Sequence, residues 1–467
     1  MAETRLIHVL DPRTGQLDFR MPVAEAEEVR AKSAKLRAAQ SHWEGIGLDG
    51  RIEVLRRWEK AIGEHSAEII AADSRDTGYC QVSRIAPIMV LGFLRAAIAN
   101  APAQLAGAVR QGISPAMPNI HYDSTLRAFP LVGVISPWNA PTMLSMMCAI
   151  PPLVAGCAVL VKPSEVTPRF VEAIMATLAD VPELASVLGF VQGDGSTGAA
   201  LIDAVDFVSF TGSVPNGRKV MEACARRFIP CDVELGGKDP LIVTVTANLD
   251  DAVSAAVRGA LSATGQVCFS IERVYVERPA HDAFVAALID RASRVRLNHP
   301  DPEHGELGPF IAGRQADIVD AQLDDAVAKG AVIRLGGKSE VIDGGRWMRP
   351  TVMTGVTHDM AVMRDETFGP VIPVMPYDSV DEVIDLANDT IFGLSAAVIA
   401  GTEEEARAIA VRINAGRVSI QDAFLTFAAA PAEADSWGAS GLGGKRPGIQ
   451  RYLKRQALLH NTATPAV

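Results

Sequence analysis

The stretch "FPLVGVISPWNAPTMLSMMCAIPPLVAGCAVLV", residues 129–161, contains no charged residue and by length alone could cross a bilayer. Pro130, Pro137, Pro141, Pro151 and Pro152 cut it into pieces, and Asn139 sits among them. The longest uninterrupted helical piece, "TMLSMMCAI", is too short to span hydrocarbon. The run therefore reads as a buried strand, a turn, a core helix and a second buried strand, and no membrane partner is expected. "AVLVK", continuous and apolar, suits a parallel strand covered on both faces.

Downstream, strand and helix alternate: helix 168–180, "GFVQG", helix 196–203, "DFVSF", helix 214–226, "IPCDVEL". A second series follows: "PLIVT", helix 250–262, "ERVYVE", helices 280–295 and 312–329, "AVIRLGG", "PTVMTGV", "GPVIPVMPY", helix 380–387, "SAAVIA", helix 402–413 and "GRVSI". This rhythm implies two α/β lobes, each an open and mostly parallel sheet flanked by helices, joined near residues 234–240. Upstream, residues 22–72 and about 82–107 carry helical periodicity. "NIHYDSTLRAFPLVGVIS" reads as an antiparallel hairpin turning near Asp123-Ser124.

The chain has 467 residues, enough for about two or three domains. Its net charge of −11, with no basic cluster, argues against nucleic acid as a partner. Cys80, Cys148, Cys157, Cys224, Cys231 and Cys268 form no CxxC pair and no metal-ligand spacing with histidine. Free thiols in a reducing compartment, and no metal, are the expectation. The N-terminus "MAETRLIHVLDPRTGQ" lacks an apolar core, so no signal peptide and a cytoplasmic location are expected.

"LSATGQVCFSIERVYV", residues 261–276, places Cys268 just before a strand. It is either an inert packed thiol or a nucleophile at a strand mouth. In "FVSFTGSVPNG", Gly212 and Ser213 follow a strand and open a helix, an ordinary cap or a pyrophosphate site. Lys162 and Glu165 follow "AVLV" at the strand end where open sheets bind ligands. There the carboxylate could accept ribose hydroxyls and repel a 2′-phosphate, or both side chains could simply be solvated. Asn139 in "SPWNAP" is a structural amide or an oxyanion donor. Glu234 in "DVELGGKDP" is half of an ion pair, for instance with Lys238, or a general base raised by apolar surroundings.

Taken together, "FPLVGVISPWNAP", "VKPSE", "FTGS" with Gly217, "VELGGKDP", "GQVCFSIER" and "ETFGPVIPV" resemble, in order and spacing, the NAD(P)-dependent aldehyde dehydrogenase superfamily. The resemblance runs from about residue 10 to the C-terminus. It implies Cys268 as nucleophile, Asn139 with the Cys268 backbone N–H as oxyanion donors, and Glu234 as the base that activates water. It further implies Lys162 and Glu165 at the adenosine ribose, Gly212, Ser213 and Trp138 near the pyrophosphate, and Glu366 with Phe368 at the nicotinamide ribose. The cofactor is then NAD, with NADP possible. The implied fold is a Rossmann-like cofactor domain (1–109 and 129–235), a catalytic domain (236–436) and a small oligomerisation β-arm (110–128 and 450–465). A homodimer or homotetramer follows.

The pattern departs at Gln421-Asp422, where the family usually has Asn, and in the late segment "SWGASGLGGKRPGIQ". For the substrate pocket, Met143, Leu144 and Met147 lie at helical spacing and read equally as tunnel or core. Phe269, Phe424, Phe427 and Trp437 add apolar bulk, which favours an apolar or aromatic aldehyde. A carboxylated one such as succinate semialdehyde is the runner-up; it needs an arginine in the mouth, and Arg273 sits in a strand that points it elsewhere. Two further alternatives are a CoA-acylating relative and a silent binding protein on the same scaffold.

Overall fold

In the computed structural model, residues 5–428, 434–442 and 448–462 are described, Phe427 and Ala428 by backbone only. Phe427 as a side chain, residues 443–447 of the glycine-rich segment and the last three positions of the expected arm lie outside them.

Two sheets dominate. The first runs in the order Gly441–Leu442, Cys231–Glu234, Phe207–Thr211, Leu131–Ile135, Ala158–Lys162, Leu188–Phe190. All neighbours are parallel except Gly441–Leu442, which pairs antiparallel with Cys231–Glu234. Leu131–Ile135 lies between Ala158–Lys162 and Phe207–Thr211, so strand order reverses there, the point at whose C-terminal strand ends open α/β sheets bind ligands. The uncharged run supplies two adjacent strands of this sheet and the helix between them. That helix, Pro141–Ala155, is longer than expected. It continues through Pro151 and Pro152 and stops at Gly156, whose φ of 101° few other residues adopt.

The second sheet runs Val332–Leu335, Thr351–Thr354, Val371–Tyr377, Ile271–Glu277, Asp239–Val243, Ser395–Ile399, Arg417–Ile420, parallel but for the first strand. Glu234 ends a strand of the first sheet and Asp239 begins one of the second, so the chain crosses between sheets in four residues. The C-terminal edge of one sheet thus meets the N-terminal edge of the other.

The hairpin expected to turn at Asp123-Ser124 is not formed. Ile120–Ala128 is one continuous strand, paired with Gln111–Ile113 on one side and Leu453–Asn461 on the other. Asp123 and Ser124 bond sideways instead, to His460 and to the backbone of Arg110. The turn falls earlier, where Ser114 N–H donates to Ile120 O and Ile120 N–H to Met117 O, in a segment broken by Pro115 and Pro118. After Ala128 the chain leaves for the first parallel sheet. Two hairpins were not expected at all: Leu6–Leu10 with Leu17–Pro22, and Ser339–Ile342 with Gly345–Met348. Among the described residues one helical run, Cys80–Ala108, is long and apolar enough to cross a membrane. Its Val90, Leu94 and Ile98 are buried in the same core as Trp58 and Leu153.

Candidate active site

Every cofactor and catalytic position expected before residue 235 falls on one edge. Trp138 and Asn139 follow Leu131–Ile135, Lys162 and Glu165 end and follow Ala158–Lys162, Gly212 and Ser213 follow Phe207–Thr211, and Glu234 ends Cys231–Glu234. The edge is shared because all four strands are parallel, which sends their C-termini the same way.

Cys268 arrives from the other sheet through an unusual turn. Ala263, Thr264 and Gly265 all adopt left-handed backbone, with φ of 51°, 60° and 69°. For Ala and Thr this costs roughly 1 kcal/mol each, and at Gly265 a Cβ would strike the carbonyl oxygen of Gly369. The turn is clamped from outside. Thr264 Oγ1 accepts the Gly308 N–H at 2.9 Å, and Gln266 donates to Pro309 O at 3.1 Å and accepts the Ile311 N–H at 3.0 Å. Asn139 Nδ2 reaches across from the first sheet and donates to Gln266 O at 3.0 Å. An amide nitrogen carries two hydrogens, so this bond positions Asn139 two residues from Cys268 and leaves a second N–H.

The Glu234–Lys238 crossover packs directly on Cys268. A Cβ on Gly237 would lie 2.5 Å from Cys268 O, and one on Gly236 would strike the Glu366 carboxylate. The backbone contact makes Gly237 a position for glycine, whereas a side chain at Gly236 would have to displace the Glu366 carboxylate. Cys268 is half-buried. Burial, followed by the nearby Glu366, Asp239 and Glu234 carboxylates, pushes its thiol up to about 12. Glu234 is raised to about 7, first by burial and then by Asp232. Lys238 is not its partner: the Lys238 ammonium donates to Glu272 at 2.8 Å and to Thr367 Oγ1 at 2.8 Å. Glu234 instead accepts from Ser436 Oγ at 3.3 Å, and Leu235 N–H donates to Ser440 O at 2.8 Å. The late segment therefore closes over Glu234 itself, a role that its sequence did not signal.

Glu272, one residue into the Cys268 strand, also accepts the N–H groups of Thr367 at 2.7 Å and Phe368 at 2.8 Å. This fully buried carboxylate ties the "ETFGP" loop to the Cys268 strand and fixes Glu366 and Phe368 beside it. Glu366 accepts the Gly237 N–H at 3.3 Å and is raised to about 8, first by burial and then by Glu272. The Phe368 ring meets Trp138 edge-on at 5.3 Å, joining two expected cofactor residues from opposite sheets. On the same strand edge, Ser213 caps the helix Val214–Arg226 without a side-chain hydrogen bond, so the first-turn N–H groups stay open to an anion. Gly217 in that turn presses on Leu235, where a Cβ would come within 2.6 Å. Lys162 is buried, which lowers its pKa, and donates to Pro163 O at 2.8 Å and to Glu165 at 3.3 Å.

Of the expected pocket residues, Phe269 and Phe424 come together, with ring centroids 5.3 Å apart. Met143 and Met147 are half-buried, as is Leu144, while Ser145 and Met146 beside them are fully covered. Met147 packs on the first core. Trp437 is half exposed and bonds through its backbone to Gly393. Arg273 is fully buried and spends its guanidinium on the carbonyls of Lys238, Leu386 and Ala387. Held there, the guanidinium is sealed away from a substrate carboxylate.

Residues 1–458 match the model of the aldehyde dehydrogenase family. The chain is 37% identical over 450 residues, 95% of its length and 87% of the other's, to a Mycolicibacterium smegmatis protein named "Putative succinate-semialdehyde dehydrogenase [NADP(+)]". It is 34% identical over 463 residues, 97% of its length and 84% of the other's, to a "4,4'-diapolycopene aldehyde oxidase" of Methylomonas sp. In structure it is similar to "Putative Aldehyde Dehydrogenase PutA" from Anabaena variabilis, with TM-score 0.95 and 47% identity over 99% of both chains.

Proposed function

The chain belongs to the aldehyde dehydrogenase family and oxidises an aldehyde with NAD(P), and from that premise we propose which of its residues carry the reaction. Cys268 is the nucleophile, Asn139 the oxyanion donor and Glu234 the base. The observation that supports this most is convergence: Asn139 bonds the backbone two residues before Cys268, and the crossover that begins at Glu234 packs on the Cys268 carbonyl.

A thiol held near 12 is protonated at neutral pH, so Cys268 must lose its proton as its sulfur bonds the carbonyl carbon. That proton leaves to solvent as the bond forms, and Glu234, near 7, stays available as the base for the later step. The developing oxyanion is held by the second Asn139 N–H and the Cys268 backbone N–H. Bound nicotinamide supplies the hydride acceptor, and the carbon left on sulfur is a thioester. Glu234 then draws a proton from water, whose oxygen displaces the thiol and releases the carboxylic acid. The balance is aldehyde, water and NAD(P)+ to acid, NAD(P)H and a proton.

For the cofactor, the open helix end at Ser213, Gly212 in its turn, and the Trp138–Phe368 pair fit a dinucleotide laid along the sheet edge. The carboxylates for its two riboses are Glu165 at the adenosine end and Glu366 at the nicotinamide end. Glu165 favours NAD, while Lys162 at 3.3 Å offsets part of its charge and leaves NADP usable. The three-stranded sheet of Gln111–Ile113, Ile120–Ala128 and Leu453–Asn461 serves as the oligomerisation arm of a homodimer or homotetramer, beside a cofactor domain of 1–109 and 129–235 and a catalytic domain of 236–436. The substrate is an apolar or aromatic aldehyde, supported by the Phe269–Phe424 pair and the burial of Arg273 against backbone carbonyls. The name of the M. smegmatis relative favours a semialdehyde instead. A panel of aliphatic, aromatic and carboxylated aldehydes, each with NAD and with NADP, separates the two by kcat/KM. A preference for the carboxylated aldehydes would reject the apolar reading.

A further inference from the structure

The aromatic wall beside Cys268 is built by a loop whose own charges cancel. Gln421 holds a left-handed φ of 58°, fixed by its side-chain amide, which accepts the Ala400 N–H at 3.0 Å and donates to Ala400 O at 2.8 Å. The next residue, Asp422, uses both carboxylate oxygens. Oδ1 accepts the Phe424 N–H at 2.7 Å, and Oδ2 accepts the Arg258 guanidinium at 2.6 Å. Between them Ala423 is buried against Gly259, where a Cβ would come within 3.0 Å of the alanine methyl. Phe424 then lays its ring on Phe269, the residue after Cys268.

Asp422 therefore does two things with one group. Its hydrogen bond to the Phe424 N–H sets the aromatic wall, and its charge satisfies Arg258, a cation whose side chain is 49% exposed. Arg258 thus lies against the loop that carries Phe424, already paired to the Asp422 carboxylate, while Arg273 is committed to backbone carbonyls. We propose that Asp422 is a specificity-determining residue, which reserves the site for uncharged aldehydes by holding Phe424 on Phe269 and by neutralising Arg258. This rests on the reading that Cys268 is the nucleophile.

The test compares butanal with 4-oxobutanoate, its counterpart carrying a terminal carboxylate, in the full-length enzyme with saturating cofactor. The wild type is expected to favour butanal in kcat/KM. Asp422→Asn keeps an acceptor for the Phe424 N–H but releases Arg258, and should shift the kcat/KM ratio toward 4-oxobutanoate on the order of five-fold, mainly through KM. Adding Arg258→Gln should return the ratio to the wild-type value, and Arg258→Gln alone, which leaves the Asp422 carboxylate uncompensated, should not move it toward 4-oxobutanoate. Asp422→Ser reads the same ratio if the Asn variant does not fold. A wild type that prefers 4-oxobutanoate, an unchanged ratio in the Asp422 variants, or a shift that survives loss of Arg258 would each overturn the proposal. Absence of NAD(P)H from every aldehyde would reject the underlying reading of the site, and the proposal with it.

Discussion

Glu234→Gln tests the assignment of the base quantitatively. Burial raises the Glu234 carboxyl from an ordinary 4.5 to about 7. A group with that pKa is ~3% ionised at pH 5.5 and ~97% at pH 8.5, so a step needing its carboxylate accelerates about 30-fold across the window. An unshifted glutamate would already be ~90% ionised at pH 5.5 and would change the rate by only about 10%. The sign is fixed: the active form is deprotonated, so deacylation rises with pH. Gln cannot take a proton, and its deacylation should fall ~10²–10³-fold and become flat with pH. Stopped-flow traces of NAD(P)H give both quantities, since the burst reports formation of the thioester on Cys268 and the slope reports its hydrolysis. The expected result is a retained burst with a depressed slope. A wild-type slope that is flat between pH 5.5 and 8.5, or a variant that loses burst and slope equally, would refute the reasoning.

Other expectations concern the scaffold and the cofactor. Gly265→Ala places a Cβ against Gly369 O at a left-handed position and should destabilise the fold by ~2–4 kcal/mol, read by urea unfolding; wild-type stability would show that the turn can relax. Glu272→Gln leaves the Lys238 ammonium buried without its counter-charge, and should cost ~3–5 kcal/mol in the same assay. A loss below about 1 kcal/mol would mean that the pair is not sealed from water. Glu165→Gln removes the carboxylate beside Lys162 and should raise kcat/KM for NADP relative to NAD by about ten-fold; an unchanged ratio would move cofactor choice to another residue.

Much of this site was legible in sequence because local patterns set it. The buried strands "LVGVI" and "AVLVK" could be read from continuous apolar runs, and parallel strands deliver Asn139, Glu165, Ser213 and Glu234 to one edge wherever each begins. What escaped was non-local. Ile271–Glu277 reads as an alternating strand, yet it is buried on both faces, and Glu272 and Arg273 are satisfied by residues far along the chain. Ser436 meets Glu234 from the far end of the chain, through an edge strand of only two residues that no periodicity marks. The Asp123-Ser124 pair carried a turn signature, but pairing with strands on both sides overrode it. The left-handed run at Ala263 and Thr264 has no signature either, since neither residue favours that backbone.

Replacing the Cys268 thiol by hydrogen is the shortest route to the heart of the matter. Cys268→Ala should bind NAD(P) with wild-type affinity, followed by quenching of intrinsic tryptophan fluorescence, and release no NAD(P)H from any aldehyde, in the burst or afterwards. Continued turnover by that variant would contradict the account.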